Sequence, residues 1–298
     1  MPNGLERLRT GAPLPQRRRF LGIAAACLLP FSSGCASRSA TLGPWQKRLR
    51  NDTVALLGEV HDNAEDHRLR AHALRDAIAA GWRPAVVMEQ FDLDRQQDIE
   101  RSRQERPRDA RHLIEAASPP HSGWEWSYYE PVIAMVLEHD LPLWAGNLPR
   151  AEAGRIVKEG YEAVLGAPRV RELGLGSPVD PAWQAAQERE IDAGHCGALP
   201  PEILPRMARA QFARDAAMAH VLLQHAADGV VLLAGNGHVR RDIGVPRWLE
   251  ALPTERCLAV GFIEAGHVPA PGEFDAVVVV PAAERGDPCR EFRLPRAT

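Results

Sequence analysis

Four short apolar runs in this sequence each end in residues that can do chemistry. Residues 53–57 run into Gly58-Glu59-Val60-His61, 85–88 into Glu89-Gln90-Phe91, 141–145 into Gly146-Asn147 with Arg150, and 230–234 into Gly235-Asn236-Gly237-His238. An imidazole such as His61 or His238 titrates near neutral pH and serves as a general base; a carboxylate such as Glu59 or Glu89 orients it or activates water. An arginine, Arg150 or Arg214, would hold an anionic group. Each segment taken singly has a plainer reading: Gly-Asn and Gly-Glu after a strand are turn chemistry, and a lone histidine is more often a hydrogen-bonded structural residue. Four such segments meeting at one edge favour a site.

The elements that must position them alternate. The run TVALL at 53–57 is a strand, 66–80 has apolar spacing close to helical with Gly81 placed to end it, and AVVM at 85–88, 141–145, VVLLA at 230–234, 258–263 and 274–280 are further strands. Continuous apolar strands separated by helices predict an α/β fold, a three-layer arrangement with a largely parallel sheet and flanking helices. From about 150 to 228 no strand is expected; this stretch, with a long helix at 204–227, is a helical insertion or cap on a domain spanning 53–298. In such a sheet the ligand crevice lies beyond the carboxyl ends of the strands, which would bring Glu59, His61, Glu89, Asn147, Asn236 and His238 into one cleft.

Other clusters carry chemical content. Asp62, Glu65, Asp66 and His67 open the first helix, where acids suit its dipole, and His67 is placed to face the cleft. Residues 124–129, with Trp124, Trp126, Tyr128 and Tyr129, either line an aromatic pocket or seal the core. Gln211, Arg214, Asp215 and Met218 share one helix face, expected to pack over the strand ends with Arg214 or Asp215 bonded to the Glu59, His61 and Glu89 cluster. No HExxH pair, Walker A loop, GxGxxG fingerprint or GxSxG elbow is present. A metal held by His61, Glu89 and His238 across strands has no support from spacing.

The N-terminus reads as an address. Arg7, Arg9 and Arg17-Arg18-Arg19 precede an apolar stretch from Phe20 to Phe31 that is far shorter than the ~20 residues needed to span a bilayer. Arg17 to Leu21 is similar to a twin-arginine export signal. Ser33-Gly34-Cys35 resembles the end of a lipobox, with Ser32 in place of the usual leucine, so 1–34 reads as a signal peptide, Cys35 as lipidated and 35–52 as a tether. An exported chain may keep disulfides; Cys257 and Cys289 are the expected pair, with Cys196 free or close to a site. Lys+Arg at 36 against Asp+Glu at 39 gives a net charge of -3, which offers no footprint for nucleic acid.

The ordered motifs resemble the ChaN-like haem-binding lipoprotein family. They are Gly58-Glu59-Val60-His61-Asp62-Asn63 with His67, Met88-Glu89-Gln90-Phe91, Tyr129-Glu130-Pro131, Ala145 to Arg150, Gln211 to Asp215 with Met218-Ala219, and Gly235-Asn236-Gly237-His238; the resemblance runs from about Val54 to Pro246. It implies a haem ligand, an iron-linked role in haem acquisition at the outer membrane, anchorage by lipid on its periplasmic side, a haem receptor as partner, and haem held between two subunits with a tyrosine on the iron. That tyrosine maps by motif to none of Tyr128, Tyr129 and Tyr161. The wider group, with erythromycin-esterase-like and Tiki-type members, implies instead an ester, lactone or peptide hydrolase acting through Glu59, His61, Glu89 and His238. A third reading is a partner-binding lipoprotein whose site is a relict.

Overall fold

A computed structural model describes residues 43–119, 122–287 and 289–290. The expected signal peptide, Cys35 and the tether as far as residue 42 lie outside the described residues.

Six strands form one sheet: β1 Val54–Leu57, β2 Ala85–Asp92, β3 Leu143–Asn147, β4 Val230–Leu233, β5 Cys257–Glu264 and β6 Ala276–Val280. Their order is β3-β2-β4-β1-β5-β6, and every neighbouring pair is parallel. β3 starts two residues later than its apolar pattern suggests. Pro142 has no N–H for the ladder, and only its carbonyl joins, accepting from Val86 N.

Alternation sorts the side chains to two faces. Ala55, Leu57, Val86, Met88, Val231 and Leu233 pack against α1 Ala64–Ala79, α3 Ala110–Ala117 and α4 Trp126–Glu138. Val54, Leu56, Val87, Val230 and Leu232 pack on the opposite face against Met218, Ala219 and Leu222 of the long helix that precedes β4. Each fully buried Val or Leu contributes roughly 1.5–3 kcal/mol, so both faces are committed to the core. α1 begins where the Asn63 side chain accepts from Glu65 N and Asp66 N, and it ends at Gly81 with φ 104°.

Between β2 and β3 lies a helix that hydrophobic spacing does not announce, α2 Gln96–Glu105, followed by α3 and α4. α2 buries only Ile99 and Ser102, too few positions to set a period. Between β3 and β4 run α5 Arg150–Glu159, α6 Tyr161–Glu172, α7 Pro181–Gly194 and α8 Leu204–His225. These enclose a core of their own, built on Ile156, Val170, Ile191 and Phe212. α8 belongs to that core through Phe212 and Ala213 and to the sheet through Met218 and Leu222, and so fixes the helical region over the sheet's edge.

The cysteine pairing corrects the sequence-based expectation. Cys196, just after α7, is bonded to Cys289, and Cys257 is the free, buried thiol. Cys257 opens β5 with its side chain buried in the sheet core.

Candidate functional site

The strand ends do converge. β1 ends at Leu57, and Gly58 is tightly enclosed: a Cβ there would collide with Asn236 Oδ1 and lie 3.2 Å from the Val260 carbonyl oxygen. Glu59 is then buried beneath α1 and α4. Its Oε1 accepts from Tyr129 OH (2.6 Å), His61 Nδ1 (2.7 Å) and Gln90 Nε2 (3.1 Å), and its other oxygen pairs with Arg70. Burial pushes this carboxyl up, but Arg70 and the His61 hydrogen bond outweigh it and hold it down to about 2. Saturated in this way, Glu59 is an anchor that sets the orientation of His61, with the Nδ1–H committed and Nε2 left for chemistry.

Arg70 also fixes the state of His67. A guanidinium can only donate, so its 3.1 Å contact to His67 Nδ1 makes that nitrogen the acceptor, and Nε2–H donates to the His61 carbonyl at 3.1 Å. Burial and the Arg70 charge lower the His67 pKa to about 4, so this imidazole is neutral. Its ring stacks on Tyr128 at 5.0 Å.

The second half of the site is centred on His238, in α9 Asn236–Val239. Its Nδ1 donates to Asp215 Oδ1 on α8 at 2.5 Å, and its Nε2 is 3.5 Å from Glu89 Oε1. Burial would lower its pKa, but the two carboxylates raise it to about 10. They share one imidazolium unequally. Burial pushes both carboxyls up; Glu89, which also accepts Gly235 N–H at 2.8 Å, ends well below the usual range, while Asp215 is left at about 6. β2 and β3 make this possible by an irregularity: Met88 pairs with Ala145 but Asp92 pairs with Asn147, so the extra β2 residues bend Glu89 and Gln90 toward the site.

The two halves touch at Gly235. A Cβ there would lie 2.9 Å from His61 Nε2 and 3.7 Å from Glu89 Oε2, so the open position keeps His61 against the Glu89–His238 pair. The His61 imidazole remains 47% exposed, with Trp124 packed edge-on at 4.9 Å. Trp124, Asn147, Arg150, Arg214, Asp215 and His238 all line one cavity of about 680 Å³ between the strand ends, α5, α7 and α8. Its apolar wall is formed by Ala153, Val157, Ile191, Met207 and Ala210.

Other expected ligand-binding residues are used by the protein itself. Both halves of the Asn236 carboxamide are taken by Phe262, its Nδ2 donating to the carbonyl at 2.5 Å and its Oδ1 accepting the N–H at 3.1 Å, so Asn236 ties the start of α9 to β5. The Tyr129 hydroxyl is committed to Glu59. Of the pair expected over the strand ends, Asp215 reaches the cluster through His238, whereas Arg214 turns into the cavity. Among the described residues no group of three His, Cys, Asp or Glu side chains stands where it would hold a metal. Residues the sequence did not single out are Arg70, Asp92 and Gln187, the last two lining the cavity. Only Arg70 carried a signal, being one helical turn from Asp66 and His67.

Asp66 supplies a test of this wiring. It is fully buried, its Oδ2 accepts Val60 N–H at 2.6 Å, and burial raises its pKa to about 7. A carboxyl raised from about 3.9 binds its proton more tightly in the folded state, so its contribution is present at low pH and is lost as pH climbs from about 4 through 7. Asp66→Asn removes that loss. The melting temperature of Asp66→Asn relative to wild type should rise between pH 4 and pH 8, and a constant difference would overturn the assignment.

A family model described as haem-binding uptake, Tiki superfamily, ChaN matches residues 45–249. The structure of ChaN of Campylobacter jejuni, which describes cofacial haem binding, is similar with TM-score 0.62 at 20% identity, over 78% of this chain and 88% of that one. An erythromycin esterase mutant in its open conformation aligns with TM-score 0.45 at 16% identity, over 77% of this chain and 75% of the other. No curated protein matches the chain.

Proposed function

Because the chain belongs to the ChaN family of haem-binding uptake proteins in the Tiki superfamily, we propose that it binds haem for iron acquisition, with the cavity at the strand ends as the binding place. The observation that carries this is the cavity: about 680 Å³, walled by Ala153, Val157, Ile191, Met207 and Ala210, and edged by Trp124. An apolar cleft of this size with a few convergent polar groups suits a flat apolar ligand. Of the phenols that the resemblance offers to iron, Tyr129 is bonded to Glu59 and Tyr161 packs into the helical core. Tyr128, half-buried beside His67, is the remaining phenol and lies outside the lining of the cavity. Titration of the purified protein with haemin should give a saturable Soret shift, left in position by Tyr128→Phe if the iron lies in the cavity. No shift with folded protein removes the reading.

We assign 1–34 to export and Cys35 to lipid anchoring at the outer membrane, facing the periplasm, with an outer-membrane haem receptor and a second copy of the chain as partners. The Arg17 to Leu21 motif supports export, and the Cys196–Cys289 bridge agrees with an oxidising compartment.

A second reading, a hydrolase, is favoured by one feature of the site. Two carboxylate-held imidazoles, Glu59–His61 and Asp215–His238, meet at Glu89. In that reading Glu59 orients His61 as the base. Turnover of an ester, lactone or peptide panel that His61→Ala abolishes would establish it; haemin binding without turnover would leave the first.

A further inference from the structure

Two carboxamides in the cavity wall have nothing in the protein to bond to. Asn147, the last residue of β3, is 4% exposed, and Gln187, on α7, is 5% exposed; both line the cavity. Neither side chain makes a hydrogen bond among the described residues. Gln211 on α8, half-buried and also without a side-chain partner among the described residues, lines the same space. Other buried carboxamides are in use: Asn63 caps α1 and Gln90 donates to Glu59. Buried polar groups are paired in the great majority of cases, so two left unpaired in one wall point to a ligand.

Their chemistry narrows its class. A carboxamide offers a donor and an acceptor side by side, and the two ends can exchange by a flip. A ligand carboxylate would only accept and an ammonium would only donate, leaving half of each carboxamide unpaired. A hydroxyl does both. The charged groups ask for no counterion: Arg150 is exposed to solvent, Asp92 and Arg214 attract each other, Glu190 is paired with Arg240 and Asp215 with His238. Helices α5, α7 and α8 form much of the wall. Their main chains are already paired, so an extended peptide would find no ladder to join.

We propose that this wall of the cavity is a subsite for a neutral ligand with neighbouring hydroxyls, a sugar or another polyol, whose hydroxyls accept from and donate to the carboxamides of Asn147 and Gln187. This goes beyond the haem reading and does not depend on it, because haem with ionised propionates has no peripheral donor to offer these groups. Trp124 at the cavity's edge supplies an aromatic surface for the C–H side of such a ring.

Saturation-transfer NMR on the folded protein with the methyl glycosides of glucose, galactose, mannose and rhamnose should show at least one of them bound. Gln187→Met keeps the length of the side chain and loses both polar atoms. It should weaken that glycoside about tenfold, the change that corresponds to one lost hydrogen bond, and Asn147→Leu should do the same. Gln187→Met should also melt at or above the wild-type temperature, since no bond within the protein is lost. Folded wild type that binds none of the four, or a bound glycoside that both variants hold as tightly as wild type, would overturn the subsite. A lowered melting temperature for Gln187→Met would count equally against it, by placing the partner of Gln187 within the protein. The Soret titration of wild type with haemin tests the haem reading separately, so either can fail without the other.

Discussion

Arg70→Met should destabilise the protein by roughly 3–5 kcal/mol, the range for removing one partner of a buried ion pair. Arg70 is 1% exposed and sits on α1 between Glu59, Asp66 and His67. Without it the Glu59 carboxylate stays buried with only neutral donors and the His61 ring, and the His67 Nδ1 loses its donor. Glu59 should then take up a proton on folding near neutral pH. Adding Glu59→Gln to Arg70→Met should recover part of the loss, because a carboxamide still accepts from Tyr129 and His61 without carrying charge. Chemical denaturation of the single and double variants checks this. A single-variant loss under about 1 kcal/mol, the range of an exposed pair, would mean that the cluster is solvated.

Cutting the bridge should have an effect of similar size. Cys196 and Cys289 are 93 residues apart, and in the chain-entropy account a loop of about that length is worth about 4–5 kcal/mol through the unfolded state. Cys196→Ser should lower the denaturation midpoint, and a reducing agent should shift wild type to match while leaving the variant unchanged. Cys257, whose thiol burial pushes up, should not exchange into the bridge. Equal midpoints for wild type under oxidising and reducing conditions would refute the pairing. The folded state adds to the expectation: Arg285 holds the segment after β6 to Asp62 and Glu264, and the bridge fastens its end to the turn after α7. Gly194 and His195, at that turn, line the cavity, so reduced protein should also bind haemin less tightly.

Local sequence was enough for some features. The strands are continuous apolar runs because both faces of a parallel sheet are buried, and this pattern is visible without partners; β1, β4 and β5 fall where it places them, while β2 starts at Ala85 as expected but runs on through Glu89 to Asp92. So does α8, whose face of Gln211, Arg214, Asp215 and Met218 follows from helical spacing. α2 was illegible because two buried positions make no period. β3 was displaced because an apolar pattern does not register that Pro142 lacks a donor.

Within the site, residue types at the strand ends marked Glu59, His61, Glu89, Asn147 and His238, since polar groups there have no role in the strands themselves. Their division of labour was a tertiary matter. Whether Glu59 acts or anchors depends on Arg70, Gln90 and Tyr129 arriving from α1, β2 and α4. Whether Asn236 meets a ligand depends on β5 lying beside it, and which cysteine bonds Cys289 depends on where α7 ends. Sequence alone determined the order of elements, the edge of the sheet at which chemistry collects and the family, because these rest on spacing along the chain. The charge states of His67 and His238, the cavity and the bridge were decided only by folding, because burial and opposite charge act through space between residues far apart in sequence.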